Sequence, residues 1–221
     1  SWCSAKLAEL ELDELAGLSL LEWEPGNRAL SVHRLVQEIA RHRLDDAMQR
    51  AALATAVYVL NRSLPAEPPP QDVRSWPRWD ALRVHVERVL AQVAPVDVRD
   101  GVARLCSELG SHLFAKSLYG DAEPLMRRAL SIDEASYGGD HPNVAIQLNN
   151  LAQLLQATNR LGEAEPLMRR ALSIFEASLG SGHPNVASLL NNLAQLLQAT
   201  NRLGEAEPLS RRMLIIFVLF S

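Results

Sequence analysis

The chain has 221 residues, 48% of them hydrophobic, 22% charged and 5% aromatic, with a formal net charge of -4. That length holds one large domain or two modest ones, and few aromatics beside abundant Ala, Leu and Glu lean towards helices. The acidic balance excludes a nucleic-acid binder that works by global charge, because phosphate neutralisation needs clustered Lys and Arg.

In chain order, Ala5 to Ala16 is helix-like. Leu18 to Trp23 and Ala29 to Val32 read as two short strands around the turn Glu24-Pro25-Gly26-Asn27. A helix is expected from His33 to about Arg50, with Leu35, Val36, Ile39 and Ala40 on one face, and Ala51 to Leu64 continues helical. Helix, hairpin and helix in that order suit the end of a winged helix, so residues 1–62 are read as a partial winged-helix-like segment with a short β-hairpin. The run Pro65-Ala66-Glu67-Pro68-Pro69-Pro70 predicts a stiff extended linker. Trp76-Pro77-Arg78-Trp79 and Ala81 to Val93 follow as a helical spacer, and linker and spacer together fill 63–100.

Residues 101–221 repeat. His141-Pro142-Asn143-Val144-Ala145 returns at His183 with an offset of 42, and Asn149 to Leu167 is matched residue for residue by Asn191 to Leu209. Ala122 to Leu130 returns as Ala164 to Leu172. Each copy reads as two helices. Leu148, Leu151, Ala152 and Leu155 form one apolar stripe, and Thr158-Asn159-Arg160-Leu161-Gly162 reverses the chain. The second helix buries Ala164, Leu167, Met168, Ala171, Leu172 and Phe175, with Pro166 expected in its first turn. Gly180 to Gly182 closes the hairpin and Pro184 opens the next helix. One hairpin cannot bury its apolar face alone, so the copies stack into three helical hairpins.

The spacing of Leu148, Leu151, Ala152, Leu155, Ala164, Met168 and Ala171 resembles the tetratricopeptide signature. Leu190, Leu193, Ala194, Leu197 and Ala206 match it in the third hairpin, and Cys106, Leu109, Gly110, Leu113, Ala122, Met126 and Ala129 in the first. The 42-residue period with its His-Pro-Asn-Val linker is similar to the kinesin-light-chain subtype. The resemblance implies a mainly α fold, a tetratricopeptide α-solenoid whose first helices line a concave side. Ser210 and Met213 depart from the pattern, and Ile215-Ile216-Phe217-Val218-Leu219-Phe220 lacks the polar outer face of a solenoid cap, which suggests a truncated array with an apolar end. The run Leu30 to Glu38 resembles the tail of an NB-ARC signal-transduction ATPase module. In that family a Met-His-Asp tripeptide meets the nucleotide's phosphates. His33 matches its histidine, while Arg34 stands where the aspartate would be. Trp-Pro-x-Trp followed by Leu82 and His85 is similar to the spacer of such proteins.

No catalytic residue, metal site or cofactor emerges. The chain has no Gly-Lys-Ser/Thr and no Gly-rich loop, so any ATPase engine would lie upstream, as would an ADP or ATP contact through His33. A start without Met inside an apparent helix is read as a fragment. None of the six histidines has a second ligand at metal spacing, and His141 and His183 read as turn and capping residues. Arg127-Arg128 reads as a solvated face. Cys3 and Cys106 form no CxxC, which favours a reducing cytoplasm. The longest apolar stretch, Met213 to Phe220, is too short for a bilayer that needs about 20 residues, so no membrane role is expected. The candidate site is a row of amides opposite the apolar stripe: Asn149, Gln153 and Gln156, repeated as Asn191, Gln195 and Gln198, with Asn150 and Asn192 beside them. Side-chain amides donate to and accept from the backbone of an extended peptide. The expected function is therefore binding of a protein or peptide, as the sensor part of a larger nucleotide-switched protein. The alternatives are a free-standing scaffold without switching and winged-helix DNA binding.

Overall fold

The computed structural model describes residues 21–24, 29–32, 45–65, 67–93 and 99–220. The chain divides into two compact units, Ser1–Ala52 and Leu53–Ser221. In the first, β1 (Leu21–Glu24) pairs antiparallel with β2 (Ala29–Val32), Leu21 opposite Val32 and Glu24 opposite Ala29. The helices expected at Ala5 to Ala16 and from His33, and His33 itself, lie outside the described residues, so no winged helix is assembled among the described ones. Helix α1 (Asp46–Ser63) opens on Asp45, whose carboxylate accepts from the Met48 N–H at 2.7 Å. It runs unbroken past Arg50, as expected, since no Gly or Pro interrupts it.

The second unit, helical throughout its described residues, takes the end of α1, then α2 (Trp76–Gln92), α3 (Arg99–Ala115), α4 (Tyr119–Tyr137), α5 (Pro142–Ala157), α6 (Leu161–Leu179), α7 (Pro184–Ala199) and α8 (Leu203–Phe220). Helices α3/α4, α5/α6 and α7/α8 form three hairpins, and each packs on the next through α4–α5 and α6–α7. The apolar stripes do this work: Leu148, Leu151, Ala152 and Leu155 are buried, as are Leu190, Leu193, Ala194 and Leu197 one period later. Small residues set the close approach within a hairpin. A Cβ added to Gly110 would sit 3.0 Å from Met126 Cγ.

Three local expectations are corrected. The reversal between α5 and α6 is shorter than the sequence suggests: Asn159 takes a φ of 59°, the Arg160 N–H bonds Leu155 O at 2.7 Å, and Gly162 already belongs to α6. Pro166 lies inside α6 rather than in its first turn, so it removes one helical donor. The Pro-rich run is no extended linker. Leu64, Pro65 and Pro70 are buried, and Pro69 O accepts from the Asp72 N–H and the Ser75 hydroxyl.

The end of α1 and the whole of α2 precede the first repeat and contribute to its core. Val57, Leu60, Trp79, Val86 and Leu90 share one core with Val102, Leu105 and Leu109. His112, fully buried, stacks on Trp79 at 5.6 Å, and its Nε2 lies 3.1 Å from Asp80. Lys116 lies 2.6 Å from the same carboxylate and holds it below its usual pKa range, which ties α2 to α3. Arg128, expected on a solvated face, instead donates to the last carbonyls of α2, Leu90 O at 2.6 Å and Val93 O at 2.7 Å. Arg170 and Arg212, one and two periods later, reach Gly139 O and Ser181 O of their own preceding hairpins.

Candidate partner-binding groove

First helices meet along the stack, α3 against α5 and α5 against α7. Asn192 Nδ2 donates to Asn149 Oδ1 at 3.0 Å across that face. Second helices are bridged by long side chains, among them Arg170 to Glu134 at 2.6 Å and Arg212 to Glu176 at 2.5 Å. The first helices are thus bridged by two short amides and the second helices by Arg and Glu. The side chains of Asn150, Gln153 and Gln156 on α5, and of Asn191, Gln195 and Gln198 on α7, make no hydrogen bond among the described residues. Six side-chain amides thus keep their donors and acceptors free, while Asn149 and Asn192 spend part of theirs on each other.

The first hairpin breaks the row. One period before Asn149, Asn150 and Gln156 stand Ser107, Glu108 and Phe114. Here α3, the end of α4 and the start of α5 enclose a depression of about 340 Å³ lined by Glu108, Asp133, Tyr137 and Ile146, among others. Its floor is a polar relay: Ser107 Oγ donates to Gln147 Oε1 at 2.9 Å, and Gln147 Nε2 donates to Asp133 Oδ2 at 2.9 Å. Asp133 and Gln147 are both buried. Burial pushes the Glu108 carboxyl above its usual pKa range, against the pull of Arg104 one turn earlier. The amide row does not lead to this depression, because Ser, Glu and Asp do not continue it. Only aligning the first hairpin on its successors would have exposed them.

Other candidates resolve into structure. His141 and His183 cap α5 and α7, their Nδ1 atoms accepting from the Asn143 and Asn185 N–H groups at 3.2 and 3.1 Å. Burial, opposed by Arg128, raises the Cys106 thiol to about 11, so it is held as an inert thiol. No group of three or more His, Cys, Asp or Glu is placed to hold a metal among the described residues. No described helix is long and apolar enough to cross a membrane. Helix α8 exposes Leu214, Ile215, Phe217 and Val218 while Ile216 closes the core.

Comparison with known proteins agrees with this geometry. BtubC (BKLC) from P. vanneervenii is 22% identical over 76% of this chain and 72% of its own, with a TM-score of 0.59. A putative kinesin light chain of Podosopora anserina, with nearly identical TPR-like repeats, is 20% identical over 76% of this chain and 75% of its own, with a TM-score of 0.58. A point-substituted form of the same protein gives 18% identity over the same shares, with a TM-score of 0.57. At such identities the likeness shows the fold alone. No curated protein sequence matches. The family model for the tetratricopeptide repeat matches residues 102–177 and 147–214, together just over half of the chain. The chain therefore belongs to the tetratricopeptide-repeat family.

Proposed function

We propose that the chain is a non-catalytic protein-interaction module of the reducing cytoplasm, which holds an extended segment of a partner protein against the first-helix face. The observation that carries this reading is the set of six unpartnered amides on α5 and α7, at Asn150, Gln153, Gln156, Asn191, Gln195 and Gln198. A buried backbone demands a partner for every N–H and C=O, and an amide row offers both without demanding a particular sequence. Random-peptide display on the purified chain tests it. Peptides enriched by wild type should bind Gln153→Ala/Gln195→Ala about tenfold more weakly, while the variant keeps its melting temperature because neither side chain is bonded within the fold. Unchanged affinity would remove the groove from the function.

On the resemblance of residues 5–95 to an NB-ARC tail, we further propose that the module serves a larger nucleotide-switched protein in which His33 meets the phosphates. A parent whose ADP or ATP occupancy ignored the partner would contradict that switch. One observation favours a plainer scaffold. Val57, Leu60, Leu64, Trp79, Val86 and Leu90 are packed into the core of the first hairpin, and Arg128 is bonded to the end of α2, as suits a solenoid cap.

A further inference from the structure

The hairpin units at 119–160 and 161–202 are identical at 34 of 42 positions. Four of their eight differences fall on one spot: Asp133 against Phe175, Tyr137 against Leu179, Ile146 against Ser188, and Gln147 against Leu189. In the first unit all four line the depression between α3, α4 and α5. In the second, Phe175 and Leu189 fill the corresponding space with apolar core, 5% and 2% exposed. Stacking these hairpins therefore does not require a polar junction. A buried Ser107–Gln147–Asp133 relay is no more stabilising than apolar filling, so its presence at one junction calls for another reason.

The depression supplies that reason in its charges. Glu108 is half-buried and partly desolvated, yet no hydrogen bond or ion pair reaches it among the described residues. Asp133 lies on the same lining, bonded to Gln147, and so does Arg104, exposed one turn before Glu108. Ile146, 44% exposed, and the Tyr137 ring, stacked on His141 at 4.4 Å, give apolar walls against which a methylene stem can lie. The Glu108 carboxylate, reached by no hydrogen bond among the described residues and flanked by apolar walls, fits the end of a long cationic side chain. We propose that this depression is a subsite for a basic side chain, Lys or Arg, of the segment held in the groove. It rests on the groove reading and adds the chemistry of one partner residue. The stem lies along Ile146 and Tyr137, and the cationic head meets Glu108.

N-acetyl-arginine amide, titrated into isotope-labelled protein and followed by NMR, tests the subsite without knowledge of the partner. Saturable shifts of the Gln147 side-chain amide and Ser107 are expected, absent with the neutral isostere N-acetyl-citrulline amide. Glu108→Gln should weaken the titration about tenfold. Asp133→Phe/Gln147→Leu, which rebuilds the filling of the second junction, should abolish it in a chain that still folds. Equal shifts with the citrulline probe, no saturable shift, or an unchanged titration in Glu108→Gln would overturn the subsite. The display experiment separates the two claims. Enriched peptides without Lys or Arg leave the groove standing and sink the subsite, whereas no enriched peptide counts against the groove while the titration still decides the subsite.

Discussion

Ser117, Asn159 and Asn201 occupy one place in the three hairpins, with φ values of 60°, 59° and 59°. In this left-handed region a Cβ crowds the following carbonyl, and asparagine tolerates it better than serine because its amide bonds locally. Ser117→Asn should therefore raise stability by about 0.5 kcal/mol, read as a higher urea midpoint at unchanged slope. An unchanged or lower midpoint would show that the strain lies elsewhere. The two asparagines were legible as turn residues from their place between periodic segments. Ser117 was not, because serine carries no comparable left-handed signal.

Among elements, the joints between hairpins rest on recurring charges. Arg127, Arg160 and Glu163 surround Glu123, and Arg169, Arg202 and Glu205 surround Glu165 in the same square. Burial alone would raise Glu123 and Glu165, but the bonds from Arg127 and Arg160, and from Arg169 and Arg202, outweigh it and hold both carboxyls below 4.5. Carboxyls depressed on folding stabilise above the unfolded value and lose that contribution as pH falls through the folded one. Wild type should thus lose stability from pH 4.5 downward. Glu123→Gln/Glu165→Gln should start about 1 kcal/mol less stable at neutral pH and fall less steeply. Parallel acid-unfolding curves would contradict the squares. Arg128 offers a second check, since its loss frees two carbonyls of α2. Hydrogen exchange in the last turn of α2 should quicken about tenfold in Arg128→Ala with α6 unaffected, and unchanged protection would refute the clasp. Helix positions within the repeats were readable because a 3.6-residue stripe recurred every 42 residues. The Pro-rich connection was misjudged because composition shows stiffness but not the core that Leu64, Pro65 and Pro70 enter.

At the scale of the molecule, near-identity of the repeats made both the solenoid and its amide rows legible, since one hairpin's reading transfers to the next. The depression between α3, α4 and α5 was hidden for the opposite reason. Asp133 and Gln147 lie 14 residues apart across a loop, Ser107 another 40 before Gln147, and only packing brings them together. The central claim is that partners occupy the first-helix face. It is tested most directly by hydrogen-exchange footprinting of the full chain with the highest-affinity peptide from random display. Protection is expected on α3, α5 and α7, and should fade in Gln153→Ala/Gln195→Ala. Protection confined to α6 and α8, or to the apolar end around Ile215 and Val218, would contradict it.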